Sequence, residues 1–279
     1  MHPAVVDTHH IFASLSVFLV FCCPSSLLHA RVRSFAKKHH DIPQNSDWGE
    51  SFEDCYGDMQ SPINLSEAHQ VIKHAGEYDL EFHAELCSSE ELNFSPGEHQ
   101  WMVNFADCTD RSSLTFDGDH YQLLNVHIHS VSEHENGGAC HDAEIHMVHV
   151  REGTDDELLV VGVLLDASMF GYNNELTPMW EVLAKGEEEG DEEHEFSLSP
   201  YEMLPASRAY SHYMGSLTTP PCTEGVKWIV MTDPTLLGLG QLTTFRAAVG
   251  SHMMVDSLGN TNRPVQPLNG REVHYVSVV

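Results

Sequence analysis

Residues 123–129 read Leu-Leu-Asn-Val-His-Ile-His, and residues 144–150 read Glu-Ile-His-Met-Val-His-Val. Polar and apolar residues alternate through both stretches, the pattern of strands with one buried face. Side chains two apart on a strand share a face, so His127 and His129 present two imidazoles to one point. In the second stretch Glu144, His146 and Val148 share a face while His149 lies on the other, which makes His146 the candidate third donor. Similar alternation occurs at Tyr78–Phe82, Trp101–Phe105, Leu158–Leu165 and Lys227–Thr232, between clusters of Gly, Asn, Asp and Ser. The expected fold is mainly β, in the α+β class, built on a large and mostly antiparallel sheet. Helical spacing is confined to Thr177–Gly186, with Thr177 as cap and Pro178 in the first turn, and to Leu236–Val249. No repeat or long linker divides the chain after Trp48, so residues 46–279 read as one domain.

The chain has 279 residues, 41% of them hydrophobic, too many for a disordered protein. Asp and Glu number 42 against 13 Lys and Arg, and the formal charge of −29 disfavours electrostatic attraction to nucleic acid or an anionic membrane. Histidines number 21, so a His-x-His pair is expected by chance roughly once or twice and identifies nothing alone. Three neutral imidazoles with an open fourth position are the donor set of a catalytic zinc. A structural site would close with a fourth ligand, usually Cys, and the chain beyond Cys23 has no Cys-x-x-Cys.

Ile11–Cys23 is an apolar run shorter than a bilayer-spanning helix of about 20 residues. It reads as the core of a signal peptide over residues 1–30, cleaved after Ala30, leaving no stable membrane insertion; a retained anchor is the alternative. Residues 31–45 form a basic linker or a transit segment. The expected destination is the secretory pathway, with a secreted, periplasmic or cell-surface protein, or a plastid reached by that route. Cys22 and Cys23 would leave with the signal, and five cysteines would remain for an oxidising compartment. Asn64-Leu-Ser66 and Asn93-Phe-Ser95 match the N-glycosylation pattern. The acidic run Glu187–Glu195 reads as a solvated loop, with weak binding of a cation such as Ca²⁺ as the alternative.

Gly215-Ser-Leu-Thr-Thr-Pro-Pro-Cys222 adds a third kind of evidence. Together with Gln60-Ser-Pro-Ile-Asn64, His127-Ile-His-Ser-Val-Ser-Glu-His134, the Glu144–His149 stretch, Val226-Lys-Trp-Ile-Val230 and Asn262-Arg-Pro-Val-Gln-Pro-Leu-Asn269, it closely resembles the α-class carbonic anhydrases. The likeness runs from about Trp48 to Tyr275, and the short Ser130-Val131-Ser132 resembles plant, algal and bacterial members. It implies a single domain around a twisted sheet of about ten strands with short peripheral helices. It also implies zinc-dependent reversible hydration of CO₂ to bicarbonate and a proton, by attack of zinc-bound hydroxide.

By this resemblance His127, His129 and His146 are the Zn²⁺ ligands, Thr218 orients the nucleophile with Glu133 behind it, and Thr219 contacts bicarbonate. Asn125 and Glu144 would hold the outer nitrogens of His127 and His146, and a backbone carbonyl that of His129. Val148, Val160, Leu217, Val226 and Trp228 would form the wall that receives CO₂, and His99 would carry the proton away. Cys55 and Cys222 would be bridged. Cys87 and Cys108 are a candidate second pair, which leaves Cys140 free or available for a homodimer bridge. Ser61-Pro62 and Pro220-Pro221 resemble cis-proline sites of the family. An upstream Trp-Gly-Tyr of the family has no counterpart here. Two rival readings are a catalytically weak binding module on the same fold and an acidic extracellular cation-binding protein.

Overall fold

The computed structural model describes residues 48–66, 69–74, 77–88, 93–96, 101–105, 108, 111–177, 197–252 and 260–277. The signal and linker segments, His99, the acidic run and the part of the expected helix beyond Thr177 lie outside the described residues.

Eleven strands form one sheet. In chain order they are β1 His69–His74, β2 Leu80–Ala84, β3 Asn93–Pro96, β4 Trp101–Asn104, β5 Ser112–Phe116, β6 Asp119–His129, β7 Ala143–Arg151, β8 Leu158–Ser168, β9 Tyr210–Ser216, β10 Glu224–Gly238 and β11 Glu272–Ser277. Spatially the order is β1-β11-β9-β10-β8-β7-β6-β4-β3, with β5 also on β6 and β2 on β5. Among the described strands only the β1–β11 and β8–β10 pairs are parallel, so the sheet is mixed but mostly antiparallel. Two-residue ribbons pair Cys87–Ser88 with Ser197–Leu198 and Glu135–Asn136 with Ala139–Cys140. Helices are peripheral: α1 spans Trp48–Ser51 and α2 spans Leu239–His252.

The middle of β8, Leu-Val-Val-Gly-Val-Leu-Leu over residues 159–165, is buried throughout because its neighbours cover both edges and packed side chains cover both faces. One face of the sheet carries the larger core, with Phe105, Leu114, Tyr121, Ile128, Ile145 and Phe245 shielded completely or nearly so. A smaller cluster containing Ile63, Val160, Tyr213, Val226 and Trp228 forms a second core. Each such large side chain removed from water contributes roughly 1.5–3 kcal/mol.

Several expectations change. The strand expected to end at Thr232 runs on to Gly238, and α2 begins only at Leu239. Leu236–Gly238 pair with Asp166–Ser168, and this ladder holds the apolar residues that helical spacing had assigned to a helix. Asn64 is 5% exposed, and its Oδ1 accepts from the Ser66 amide and hydroxyl. Asn93 opens β3, where the backbone alone is described.

Cys55–Cys222 and Cys87–Cys108 are disulfides. Cys140 belongs to neither; its buried thiol lies 4.0 Å from Glu135 Oε1. Ser61-Pro62 and Pro220-Pro221 are cis, as is Ser130-Val131. Among the described residues no helix is long and apolar enough to cross a membrane.

Candidate metal centre and cavity

Strands β6 and β7 are antiparallel, with His127 opposite His146 and His129 opposite Glu144. The register brings three imidazoles together: ring centroids lie 5.1 Å apart for His127–His129, 5.2 Å for His127–His146 and 4.7 Å for His129–His146. One nitrogen from each ring falls within 4.8 Å of the others. A second group, His134, Glu144 and His146, meets the same distance limit, but there His134 Nδ1 and Glu144 Oε1 are already hydrogen-bonded to each other at 2.7 Å.

Each ring is held from outside. His127 Nδ1 donates to Asn125 Oδ1 at 3.0 Å and His129 Nδ1 to the Thr261 carbonyl at 3.3 Å. His146 Nε2 lies 3.0 Å from Glu144 Oε1, in a contact too bent to count as a full hydrogen bond. These contacts leave His127 Nε2, His129 Nε2 and His146 Nδ1 as the inner donors, and His129 Nε2 is buried without a partner. Burial lowers the pKa of all three histidines, that of His129 to about 4, so they are neutral near pH 7. For His127, repulsion from His129 and His146 adds to the effect.

Two buried carboxylates face this group. Burial raises Glu133 to about 7, against the pull of His146, the Arg263 amide and Thr218. Its Oε1 accepts the Arg263 amide at 2.7 Å, whereas Oε2 lies 3.6 Å from His129 Nε2 without a hydrogen bond. Burial would raise Glu144 too, but contacts with His134 and His146 hold it well below the usual carboxylate range. Its Oε2 accepts the amides of Glu133 and His134 at 2.9 and 2.8 Å, and Oε1 accepts His134 Nδ1 at 2.7 Å. His134 Nε2 accepts from the Tyr213 hydroxyl at 2.7 Å, which accepts in turn from Ser61 at 2.8 Å. Neutral imidazoles turned inward, with orphaned acceptor and donor atoms beside two carboxylates, form a cradle whose missing charge is positive. The donor set fits zinc.

Two glycines leave room for this network. A Cβ on Gly162, opposite His146 in β8, would lie 2.7 Å from Glu144 Oε1. One on Gly215 would lie 2.1 Å from Ser61 Oγ.

His127 and His146 open onto a cavity of about 380 Å³. Val148, Val160, Leu217 and Trp228 supply its apolar lining, Thr218 and Thr219 its hydroxyls, and Asn125 an amide. Val226 packs behind them in the smaller core, outside the lining. The Cys55–Cys222 bridge and Gln60 hold the turn that carries Thr218, since Gln60 Nε2 donates to the Cys222 carbonyl at 3.2 Å. Arg263 clamps Gln60 Oε1 and the Ser61 carbonyl at 2.9 and 2.8 Å.

Several participants were not anticipated from the sequence: Ser61, Gly162, Tyr213 and Thr261 in the network, and Leu124, Asp155 and Leu158 in the lining. For most of them only position in the fold reveals the role; the Ser-Pro of Gln60–Asn64 was a local signal. His149 is not a donor to the centre, as its strand face implied: its Nε2 lies 2.8 Å from the Tyr201 hydroxyl.

Residues 43–277 match the sequence model of the eukaryotic-type carbonic anhydrase family. Alpha carbonic anhydrase 7 of Arabidopsis thaliana is 33% identical over 248 residues, covering 87% of this chain and 84% of the relative. A carbonic anhydrase of Neisseria gonorrhoeae is 31% identical, covering 93% and 95%. Among solved structures, the α-carbonic anhydrase of Thermovibrio ammonificans in complex with the inhibitor sulfanilamide matches with a TM-score of 0.66 and 31% identity, over 82% of this chain and 94% of that one.

Proposed function

Because the chain belongs to the eukaryotic-type carbonic anhydrase family and is an enzyme acting on CO₂ and bicarbonate, we propose that it works with a zinc ion held by His127, His129 and His146. The observation that carries this reading is the convergence of three imidazoles whose outer nitrogens are engaged and whose inner nitrogens share one small volume. Zinc would supply the positive charge that makes water a nucleophile at neutral pH, an effect for which carbonic anhydrase is itself the standard example.

The chain's own residues do the rest. Asn125, the Thr261 carbonyl and Glu144 fix ring orientation, which second-sphere contacts must do for affinity and geometry. Glu133 lies where it would accept from the Thr218 hydroxyl, so that Thr218 would donate backward and turn a lone pair toward the cavity. A nucleophile hydrogen-bonded there is aimed at a substrate lying against Val148, Val160, Leu217 and Trp228. That wall suits CO₂, which carries no charge and needs no strong partner. Thr219 stands beside Thr218 to meet bicarbonate, and His99 is assigned the export of the proton. The domain spans residues 46–279. Two disulfides support passage of the chain through the secretory route.

The intact donor triad favours an enzyme over a binding module on the same fold. Stopped-flow CO₂ hydration, elemental analysis and calorimetric titration with sulfanilamide test the reading on the wild type and on His127→Ala. One zinc per chain, rapid hydration and sulfanilamide binding are expected in the wild type, and loss of all three in the variant. Background hydration by both proteins, or a purified wild type without zinc, would overturn it.

A further inference from the structure

The cavity wall carries one feature that CO₂ hydration does not call for. Among the described residues that line it, Asp155 alone bears a carboxylate. It belongs to the hairpin between β7 and β8, whose residues 151–157 set four acids against the single cation Arg151. That cation is already occupied, by Asp119 at 2.7 Å and Glu157 at 3.0 Å. The turn is stapled: Arg151 N donates to the Glu157 carbonyl at 2.9 Å, and both the amide and hydroxyl of Thr154 donate to the Arg151 carbonyl at 3.1 and 3.0 Å. Gly153, at φ +81°, takes the left-handed position such a turn needs. Asp155 is therefore held at the cavity by a tight turn, and among the described residues its exposed carboxylate has no hydrogen bond or ion pair.

We propose that Asp155 is a specificity-determining residue of this cavity, whose carboxylate disfavours anionic ligands, bicarbonate included, and favours cationic ones, while leaving neutral CO₂ unaffected. The proposal rests on the zinc reading above. None of the other lining side chains is a Lys, Arg or carboxylate, so the lining offers Asp155 no cationic side chain as a partner. Across a wet opening, a unit charge about 10 Å from a ligand's own charge changes affinity about twofold at low ionic strength.

Calorimetric titration of the zinc-loaded wild type and Asp155→Asn tests it with three ligands that share one head group. These are sulfanilamide with a neutral tail, para-carboxybenzenesulfonamide with an anionic tail and para-(aminomethyl)benzenesulfonamide with a cationic tail. In Asp155→Asn the anionic ligand should gain about twofold in affinity at low ionic strength, the cationic one should lose about twofold, and sulfanilamide should stay unchanged; Asp155→Glu should behave as wild type. A structural disturbance would move all three ligands together, and that result, or three unchanged affinities, overturns the proposal. Failure of sulfanilamide to bind the zinc-loaded wild type would instead overturn the zinc reading beneath it.

Discussion

Removing the Cys55–Cys222 bridge should cost more stability than removing Cys87–Cys108, by an amount set by the chain each one closes. The first pair is 167 residues apart and the second 21. Loop-closure entropy then gives about 5 kcal/mol for the long loop and about 3 kcal/mol for the short one, a difference of about 2 kcal/mol. The long bridge also acts on the cavity. Cys222 follows Thr218 and Thr219 on one turn, its amide donates to the Thr219 carbonyl at 2.9 Å, and buried Gln60 grips its own carbonyl. Paired Cys→Ser variants at each bridge, unfolded in urea with the slope fitted as well as the midpoint, measure the two costs. Sulfanilamide titration of the folded variants reads the cavity. The Cys55→Ser, Cys222→Ser protein should lose about 1 kcal/mol of ligand affinity, about fivefold, and the Cys87→Ser, Cys108→Ser protein none. Equal destabilisation by the two pairs, or a larger loss from the short loop, would refute the loop argument. Unchanged sulfanilamide affinity in the Cys55–Cys222 variant would refute the coupling to Thr218.

Two other predictions concern single side chains. Thr218→Val keeps the shape and removes the hydroxyl between nucleophile and Glu133, so kcat/KM for CO₂ should fall by about a hundredfold at unchanged zinc content; a fall in zinc content instead would show a structural defect. His149, whose pKa burial lowers to about 3 against the 6.5 of an exposed histidine, stays neutral in the fold while the unfolded chain takes up a proton below pH 6.5. Stability therefore declines as pH falls from 6.5 toward 3, and this residue alone should account for about 2 kcal/mol between pH 7 and pH 5. His149→Gln should flatten the measured pH dependence of urea stability by that amount, and an unaltered slope would contradict the assignment.

The donor triad could be read from the sequence because strand alternation is a local property: His127, His129 and His146 needed only a period of two and a facing register. The parallel pairing of β8 with β10 could not, since it joins segments far apart in the chain and leaves no periodic trace. Leu236 and Leu237 show the limit of spacing, because two adjacent apolar residues before a helix suit either element until a partner strand chooses. Gly162 sits inside a continuous apolar run, where a glycine reads as a weakness; only the Glu144 carboxylate above it shows why a side chain is excluded. Thr261 and Arg263 come from irregular backbone, and Asp155 from a hairpin whose aim depends on its turn geometry.

Even the deciding stretch holds a correction. Strict alternation places Leu123 on the same face as Asn125, His127 and His129, yet Leu123 is fully buried in the larger core with Tyr121, Val126 and Ile128. The cause lies in the register. Val148 pairs with Asn125 and the next residue, His149, pairs with Leu123, so Leu124 is an extra residue with no partner across the ladder. Such a bulge switches the phase of a strand. Before it, the odd-numbered Tyr121 and Leu123 face the core; after it, the odd-numbered Asn125, His127 and His129 face the metal centre. Leu124, at the switch, lines the cavity together with its neighbour Asn125, which an unbroken strand would not allow. One unpaired residue thus lets a single strand give an apolar face to the core along its first half and a ligating face to the centre along its second. Without the bulge, either the core would lose Tyr121 and Leu123 or the three imidazoles would lose their common point.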